Sequence, residues 1–506
     1  MTPTLIFTGL IGYFFVLLII GFITGKNANE NSYFLGNKQS IWWLVAIGML
    51  SDSMSGVSFI SVPGNVLKSN FYYMQVVIGY VIGYLVIAYM LLPLYYKQNL
   101  TSIYSYLDNR FGSIHQKTGA IFFVLSRLSG SAARLFLTAV ILQKFLFSQW
   151  DIPFVVTVAL IILLILLYTI KGGIRTLVFT DALQSVFLVG GLLVCIIIMV
   201  SKTPNIGQTG AMQVVLNSDY STMFNLNFWS KTYFVKHILS GAFLCIAMTG
   251  LDQNMMQKNL SCKSLKEAQK NMVTTAIVVF FVNILFLSLG IFMIEFLKTA
   301  DPAMLGIGST ISPNTDMFFP HIALNLLGPI AGMAFVLGLS AATFSSADSV
   351  LTTLTTSSYI DILGLDQRED LSMAQKQKRR MFLHVGFAFL LLLTILLFYY
   401  FSKSTVIDLV LEIATYTYGP LLGLFALGIF TKSQPKGWGV LFISILVPSL
   451  CYMFVKYMMP EINEYCIARG LFPENYQIGF ELLLFNGLFS FIGYWLLGKI
   501  QNIQNK

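Results

Sequence analysis

One apolar segment carries a dense group of oxygen-bearing side chains. Residues 328–361 read GPIAGMAFVLGLSAATFSSADSVLTTLTTSSYID and are long enough, as a helix, to cross a bilayer. Hydrocarbon penalises such polar groups unless something meets them there. Hydroxyls and a carboxylate supply the oxygen ligands and the negative charge that a hard cation such as Na⁺ prefers. The polar residues at the centre of the segment are Thr343, Ser345, Ser346, Asp348 and Ser349.

The elements that must position this segment are themselves apolar. Of the 506 residues, 56% are hydrophobic and 10% are charged, whereas soluble proteins have about 25% charged residues. Apolar stretches recur along the chain, and a helix satisfies its own backbone hydrogen bonds in lipid. Residues 1–25 lack a basic start and a cleavage site, so they are predicted to be a first span rather than a signal peptide. The sequence therefore predicts an all-α membrane protein with about 13 spans, near residues 5–25, 41–65, 72–96, 118–147, 152–170, 176–200, 233–256, 271–297, 328–360, 382–401, 407–431, 437–459 and 477–498.

Positive charge follows the membrane topology. The formal net charge is +9, and alternate loops hold 20 of the 31 Lys and Arg residues. Cytoplasmic loops are enriched in these residues, so the N-terminus is predicted outside and the C-terminus in the cytoplasm of a cell (inner or plasma) membrane protein. Membrane lipid is the expected surrounding, and no nucleic-acid partner is expected. The basic loops are 26–40, 97–117, 171–175, 257–270, 361–381, 432–436 and the tail from 499.

Two spans are interrupted by polar and small residues. Residues 51–64 read SDSMSGVSFISVPG, and a second interruption at 249–254 follows five spans later. Because five is odd, the second unit would enter the membrane from the opposite side, which is typical of an inverted-repeat transporter. Unwinding would free carbonyls for a cation and helix N-termini for an anion. The alternative is a packing face of small residues.

These interruptions divide the chain into five predicted parts. Residues 1–40 are an extra N-terminal helix and a cytoplasmic loop, and residues 201–232 are an extracellular loop between the repeats. Residues 432–506 are two C-terminal helices and a short tail. The first inverted repeat is predicted at 41–200 and the second at 233–431.

Four motifs resemble the sodium/solute symporter family. The segment GGIRTLVFTDALQ at 172–184 resembles the family's GG-x-x-A-V-x-W-T-D-x-x-Q, and AATFSSADS resembles its sodium-site helix. The segment PLYYKQNLTSIYSYLDNRFG at 93–112 resembles its LP-(x)n-TS-x-YEYLE-x-RF loop. The segment QNMMQKNLSCKSLKEAQK at 253–270 resembles DQ-x-x-x-QR-x-L-(x)n-K-x-x-x-EA. The resemblance implies a LeuT-type five-plus-five core, with the first helix of each repeat broken, and Na⁺-driven uptake by alternating access.

The resemblance also implies a main Na⁺ site. It uses backbone carbonyls of the broken second span, which fall on Ser51 and Met54. From the ninth span it uses one carbonyl and two hydroxyls, which fall on Ala342, Ser345 and Ser346. The spacing of the ninth-span residues places them on one helical face, and neutral oxygens suit Na⁺. The alternative is that these hydroxyls bond back to their own helix.

Some family members have a second Na⁺ site. Here it would use Asp181 and, on the ninth span, Ser345, Asp348 and Ser349. The family normally has Ser or Thr where Asp348 stands. Two nearby carboxylates in a low dielectric need a cation or a proton, so Asp348 could strengthen that site, hold a proton or pair with a basic residue. A helix-end role is the alternative for Asp181, and Asp52 lies one residue before the acid of the proline-transporting branch.

The candidate solute-binding residues lie in spans two to four. An intramembrane arginine favours a carboxylate partner, and the family branch that carries sialic acid has an arginine that Arg134 matches. That branch also has hydroxyl residues where the serines of span two stand. The sugar-carrying branch instead has a Glu-Gln pair where Val57 and Ser58 stand, which disfavours a neutral hexose. The candidates are Ser53, Ser55, Ser58, Tyr73, Gln75 and Arg134.

Structural roles are the alternatives for these residues. Arg134 could form an ion pair with Asp52, Asp252 or Asp348, or extend to the membrane interface. Arg127 lies seven residues before Arg134 and therefore on the same helix face. Tyrosines are common at membrane interfaces.

The predicted function is Na⁺-coupled import of a small carboxylated solute, with sialic acid favoured. Proline, monocarboxylate or sugar symport are alternatives within this class. A solute-sensing membrane receptor is the rival class, and it would require an attached signalling domain. An intramembrane enzyme is not expected, since no histidine lies near the serine tracts. Na⁺ is the expected ion, and a monomer is sufficient, although the oligomeric state is left open.

Overall fold

The computed structural model describes residues 3–26, 30–305, 315–401 and 406–504. These residues form helices joined by loops, and their one β-type pairing is an isolated bridge between Ser40 and Cys262. The α-helices between residues 3 and 216 are α1 Pro3–Gly25, α2 Glu30–Leu35, α3 Trp42–Ser53, α4 Gly56–Gly64, α5 Val66–Ser69, α6 Tyr73–Val86, α7 Leu92–Lys97, α8 Ser105–Phe111, α9 Ser113–Phe145, α10 Phe154–Lys202, α11 Pro204–Thr209 and α12 Ala211–Leu216.

The described residues from 234 onwards are also mainly helical. Short π-helical turns extend several of its helices, among them Ile246–Gly250 after α13 and Ser358–Ile362 after α17. The helices are α13 Phe234–Cys245, α14 Gln253–Leu260, α15 Leu265–Ala300, α16 Phe318–His321, α17 Pro329–Ser357, α18 Met373–Phe401, α19 Val406–Phe430, α20 Gly439–Met453, α21 Met459–Ala468 and α22 Leu482–Gln504.

The helices confirm an all-α, multi-pass architecture. Among the described residues, ten helices are long and apolar enough to cross a membrane, and two bent helix pairs raise the number to twelve. A shorter apolar helix, Phe154–Ile170, lies where a further span is predicted. A helix thus occupies each predicted span. The number 13 itself and the five-plus-five repeat stay predictions.

Gly173 separates the two spans that α10 contains. Its φ of +54° is a conformation that residues with a side chain rarely adopt. A Cβ at this position would lie only 2.4 Å from the carbonyl oxygen of Tyr33. Both the backbone conformation and the close approach therefore require glycine, and the kink falls in the predicted loop 171–175.

Both predicted interruptions are present as sharp bends. The axes of α3 and α4 differ by 58°, and those of Phe234–Gly250 and Gln253–Leu260 by 64°. At the second break the Asp252 carboxylate caps α14, because it accepts hydrogen bonds from the amides of Asn254 at 2.9 Å and Met255 at 3.3 Å. The sequence prediction of two broken spans is confirmed.

The polar ninth span lies at the centre of the bundle. Every residue from 338 to 360 is buried, and α17 packs against α3, α4, α9 and α10. A helix that is polar on several faces and buried on all of them must be enclosed by protein, since lipid offers its hydroxyls no partners. This position brings its serines next to the first broken span.

Two glycines let α6 and α13 pack closely. A Cβ on Gly79 would lie 2.2 Å from the carbonyl oxygen of Ile238, and one on Gly241 would lie 2.3 Å from that of Val76. Small residues at such contacts allow two backbones to approach each other in a membrane bundle. The α6 helix also carries Tyr73, so this contact helps to place a predicted solute-binding residue.

We expect Gly79→Ala to lower the apparent melting temperature of the purified protein. The added methyl must displace the backbone of α13, and such overpacking costs about 1–3 kcal/mol. The matched control is Gly12→Ala on α1, where a Cβ would meet no atom within 4 Å. Equal melting temperatures for the two variants would contradict the close packing of α6 and α13.

Candidate sodium and solute site

The first break releases a run of backbone carbonyls. The last helical bond before the break runs from the Met54 amide to the Leu50 carbonyl at 2.8 Å. The helical bonds resume where the Phe59 amide donates to the Ser55 carbonyl at 3.0 Å. The carbonyls of residues 51–54 lie between these two bonds and are therefore available to a cation. They include the predicted main-site carbonyls of Ser51 and Met54.

The break lies directly against α17. The hydroxyl oxygens of Ser51 and Ser345 are 2.7 Å apart. A Cβ on Gly56 would lie 2.0 Å from the Thr343 hydroxyl oxygen, so the start of α4 touches the same part of α17. Ala342 is buried on α17, three and four residues before Ser345 and Ser346. The structure thus places Ser51 and the start of α4 against the part of α17 that carries Ala342, Ser345 and Ser346.

The chemistry of this junction fits an alkali cation. Its oxygens are peptide carbonyls and hydroxyls, which are hard neutral ligands of the kind that Na⁺ accepts. The Ser345 hydroxyl also donates to Asp181 at 3.0 Å, so one carboxylate lies beside the neutral oxygens. The alternative, that the hydroxyls bond only to their own helix, does not describe Ser345, which contacts α3 and α10.

A lysine ammonium lies among the residues predicted for a second Na⁺. Lys258 donates to Asp181 Oδ2 at 2.5 Å and to the Ser349 hydroxyl at 2.7 Å. It also forms an ion pair with Asp52. Lys258 is 1% exposed, and both carboxylates are fully buried in its vicinity. The structure therefore brings Asp181 and Ser349 together around a cationic side chain, while Ser345 contacts the other oxygen of Asp181.

Asp348 lies outside this lysine cluster. One of its carboxylate oxygens accepts a hydrogen bond from the Tyr168 hydroxyl at 2.7 Å. The other oxygen is buried and has no hydrogen-bond partner within the part of the chain that the structure describes. Of the alternatives for Asp348, pairing with a basic residue does not occur among the described residues. Its neighbouring tyrosine is a partner that the sequence does not indicate.

The predicted position of Lys258 is wrong. The sequence places it in the basic cytoplasmic loop 257–270, whereas α14 continues to Leu260 and buries the side chain inside the bundle. The positive-inside pattern cannot distinguish a loop lysine from one that pairs with a buried acid. A signal was present, since the family pattern DQ-x-x-x-QR has a basic residue at this position.

A cavity opens beside the first break. Its polar walls come from the predicted residues Ser53, Ser55, Ser58 and Tyr73 together with Arg134. Several further lining residues were not predicted, although Tyr73, Tyr80 and Tyr84 recur at helical spacing along α6 and could have signalled them. The remaining lining residues are Asp52, Met54, Val57, Tyr80, Tyr84, Arg127, Leu244, Cys245, Met248, Thr249, Met255 and Val279.

The two arginines of α9 differ in their partners. The Nε of Arg127 lies 2.5 Å from Oδ2 of Asp252, and its guanidinium also donates to the Met248 carbonyl at 2.7 Å. Arg134 donates to the Ser346 hydroxyl at 3.3 Å and forms no ion pair with any described carboxylate. Arg127 therefore has the structural role that was an alternative for Arg134, and Arg134 keeps an unneutralised charge at the cavity.

Two predicted solute residues are already hydrogen-bonded to the protein. The Ser53 hydroxyl is 3.0 Å from the Tyr84 hydroxyl, and both line the cavity. Gln75 is fully buried, and its amide donates to the Met223 carbonyl at 2.9 Å. Gln75 is not part of the cavity lining. It lies two residues after Tyr73, which places it on another face of α6.

Curated relatives and a solved structure resemble the chain over most of its length. The sodium/sialic acid symporter SiaT of Proteus mirabilis (strain HI4320) is 26% identical over 88% of this chain and 88% of that protein. Sodium-coupled monocarboxylate transporter 2 of Danio rerio is 24% identical over 81% of this chain and 65% of that protein. A substrate-bound, outward-open structure of a Na⁺-coupled sialic acid symporter superposes with a TM-score of 0.81 at 22% identity and covers 98% of both chains.

The structural likeness shows that the fold is shared. At the level of sequence, the model of the sodium:solute symporter family matches residues 33–438. That range includes both broken spans, the cavity and the polar helix α17. The chain belongs to the sodium:solute symporter family.

Proposed function

We propose that the protein is a Na⁺-coupled symporter that imports a small carboxylated solute, with sialic acid as the first candidate. The observation that supports this best is Arg134, a cation that lines the cavity and has no described carboxylate partner. A guanidinium binds a carboxylate through two parallel hydrogen bonds. A charge inside the membrane is costly until an anion meets it.

Hydroxyl-rich walls favour a polar acid over a purely apolar one. Ser53, Ser55, Ser58 and three tyrosines can exchange hydrogen bonds with a polyhydroxylated solute. Apolar residues such as Leu244 and Val279 line the rest of the cavity. Relatives named for sialic acid and for monocarboxylates support a carboxylate as the shared feature. The monocarboxylate is the second candidate, because Arg134 serves either solute.

Na⁺ would bind at the junction of the first break and α17. The proposed ligands are the carbonyls of Ser51, Met54 and Ala342 and the hydroxyls of Ser345 and Ser346. A cation there would attract the freed carbonyls of α3 towards α17. Ser346 touches Arg134, so the ion and solute regions share a hydrogen bond. Such a contact can make each ligand favour the binding of the other.

Alternating access would then move one helical repeat against the other. We propose that residues 41–200 and 233–431 are these repeats, with the remaining helices at the periphery. The N-terminus would lie outside and the C-terminus in the cytoplasm of the cell membrane, which puts the exposed Lys378 and Arg379 on the cytoplasmic side. Lipid surrounds the bundle, and one chain supplies every proposed ligand, so a monomer suffices.

In proteoliposomes, we expect labelled sialic acid to accumulate only when an inward Na⁺ gradient is present. The downhill movement of Na⁺ supplies the free energy for uptake against a solute gradient. Replacement of external Na⁺ by choline should reduce uptake to the level of empty liposomes. Uptake that is equal in choline would contradict Na⁺ coupling, and uptake of lactate but not sialic acid would select the second candidate.

Ser345→Ala and Ser346→Ala should each raise the Na⁺ concentration needed for half-maximal uptake by about tenfold. A hydrogen bond or ligand contact to a charged group contributes about 1.5–3 kcal/mol. Ser340→Ala is the matched control, because Ser340 is buried on the same helix and its hydroxyl has no hydrogen-bond partner among the residues that the structure describes. If the Na⁺ dependence of uptake were unchanged in both test variants, these hydroxyls would not be ligands of the ion.

Arg134→Ala should abolish the rise in melting temperature that sialic acid gives the wild-type protein. Specific ligands stabilise the folded state by mass action, and the variant loses the only proposed carboxylate partner. Arg134→Lys should retain part of the effect, since it keeps the charge without the planar fork. The control is Arg175→Ala at an exposed position. If sialic acid stabilised the Arg134→Ala variant as fully as the wild-type protein, Arg134 would have a structural role and would not bind the solute.

A further inference from the structure

Arg380 is a buried arginine to which no described acid is paired. It is the eighth residue of α18 and is 5% exposed, and its Cζ lies 3.8 Å from the centroid of the Tyr33 ring. No carboxylate of the described residues forms an ion pair with it. The face of an aromatic ring attracts a guanidinium but does not neutralise its charge. The charge of Arg380 therefore lacks a counter-ion.

The surroundings of this arginine leave room for an anion at one edge. The nearest acid along the chain from Tyr33 is Glu30, which accepts a hydrogen bond from the Tyr359 hydroxyl at 3.0 Å. Of the guanidinium nitrogens of Arg380, Nε alone is enclosed without a partner within the described ranges. The terminal nitrogens therefore reach the surface, where they can meet a ligand. A buried charge without such a partner is costly.

The outward face of α18 combines positive charge with apolar surface. Lys378 and Arg379 are exposed, and the following turns expose 78% of Phe382, 46% of Val385 and 58% of Phe389. Residues three, four and seven apart share a face of a helix, so the two basic side chains lie at the end of an apolar stripe. In the topology proposed above, this end of α18 lies at the cytoplasmic leaflet. The face thus matches a molecule with an anionic head and apolar chains.

We propose that the start of α18 binds an anionic phospholipid of the cytoplasmic leaflet. Its phosphate would lie at Arg380, Lys378 and Arg379, and its acyl chains would cover the stripe from 382 to 389. A guanidinium forms two parallel hydrogen bonds with phosphate oxygens, and basic pockets between helices on the cytoplasmic side bind anionic headgroups. Free phosphate would meet the same side chains but would leave the apolar stripe uncovered. The phospholipid accounts for both features.

This site lies next to the transport machinery without belonging to it. The α18 helix packs against α9, which carries Arg134, and against α17, which carries the serines of the proposed Na⁺ site. A lipid that binds the folded bundle stabilises it by mass action. The proposal goes beyond Na⁺-coupled import and takes from it only the leaflet.

The melting temperature of the detergent-purified protein tests the site without Na⁺ or a solute. Phosphatidylglycerol should raise the melting temperature in a saturable manner. Phosphatidylcholine with the same acyl chains is the control lipid and should not, because its headgroup has no net charge. Equal stabilisation by the two lipids would overturn the proposal. Inorganic phosphate that stabilises the protein as strongly as phosphatidylglycerol would also overturn it, because the ligand would then be a free anion.

Variants show whether the lipid occupies this site. Arg380→Gln should raise the phosphatidylglycerol concentration for half-maximal stabilisation by about tenfold, since it loses hydrogen bonds to a charged group. Lys378→Gln/Arg379→Gln changes two exposed residues and should raise it by at least about fivefold. The matched control is Arg469→Gln, because Arg469 also lies over a tyrosine ring, at 4.5 Å from Tyr465, but is exposed. It should respond as the wild-type protein does.

Folding of each variant is checked by its gel-filtration profile. A folded Arg380→Gln variant with the wild-type lipid response would contradict the proposal. If that variant does not fold, the exposed double variant decides, and a wild-type response there would count against the site. Failure of the wild-type protein to respond to phosphatidylglycerol would also reject the lipid, while the Na⁺ dependence of uptake would be unaffected. The two proposals can therefore fail separately.

Discussion

The buried ion cluster of Lys258 is the interaction on which the arrangement of this bundle depends. Its ammonium binds Asp52 of α3, Asp181 of α10 and Ser349 of α17 from a position on α14. Removing one partner from a buried pair typically costs about 3–5 kcal/mol, because the remaining charge has no solvent. In a membrane-embedded core that constraint is difficult to relieve. The cluster therefore fixes how the two broken spans meet around the polar helix.

The two breaks serve different purposes although they share an outline. The first releases the carbonyls of residues 51–54 against the serines of α17, which suits a cation. At the second break the carboxylate of Asp252 caps α14 and forms an ion pair with Arg127. It also accepts a hydrogen bond from the Tyr418 hydroxyl at 2.6 Å. A break whose polar groups are satisfied internally offers few ligands to a cation, although Met248, Thr249 and Met255 of this break line the cavity. The ion chemistry of the bundle is thus concentrated at the first break.

Sequence periodicity and composition were sufficient for the spans, both breaks and the location of the serine-rich helix. They depend on local properties, namely apolar length and the presence of Ser, Gly and Pro within it. Side-chain partners depend instead on how helices rotate against each other. For that reason Lys258 was predicted in a loop, Gln75 was assigned to the cavity although it faces Met223, and the bond from Tyr168 to Asp348 was not foreseen.

The charged side chains that line the cavity indicate the charge of the solute. Among the described residues, three charged ones line it: Asp52, Arg127 and Arg134. Asp52 is paired with Lys258, which also binds Asp181, and Arg127 is paired with Asp252. Of the three, Arg134 is the one with no ion pair to a described side chain, and its guanidinium contacts Ser346 at the proposed ion site. An anion that neutralises Arg134 would also lower the electrostatic cost of a nearby Na⁺, and this reciprocity is the thermodynamic requirement of coupled transport.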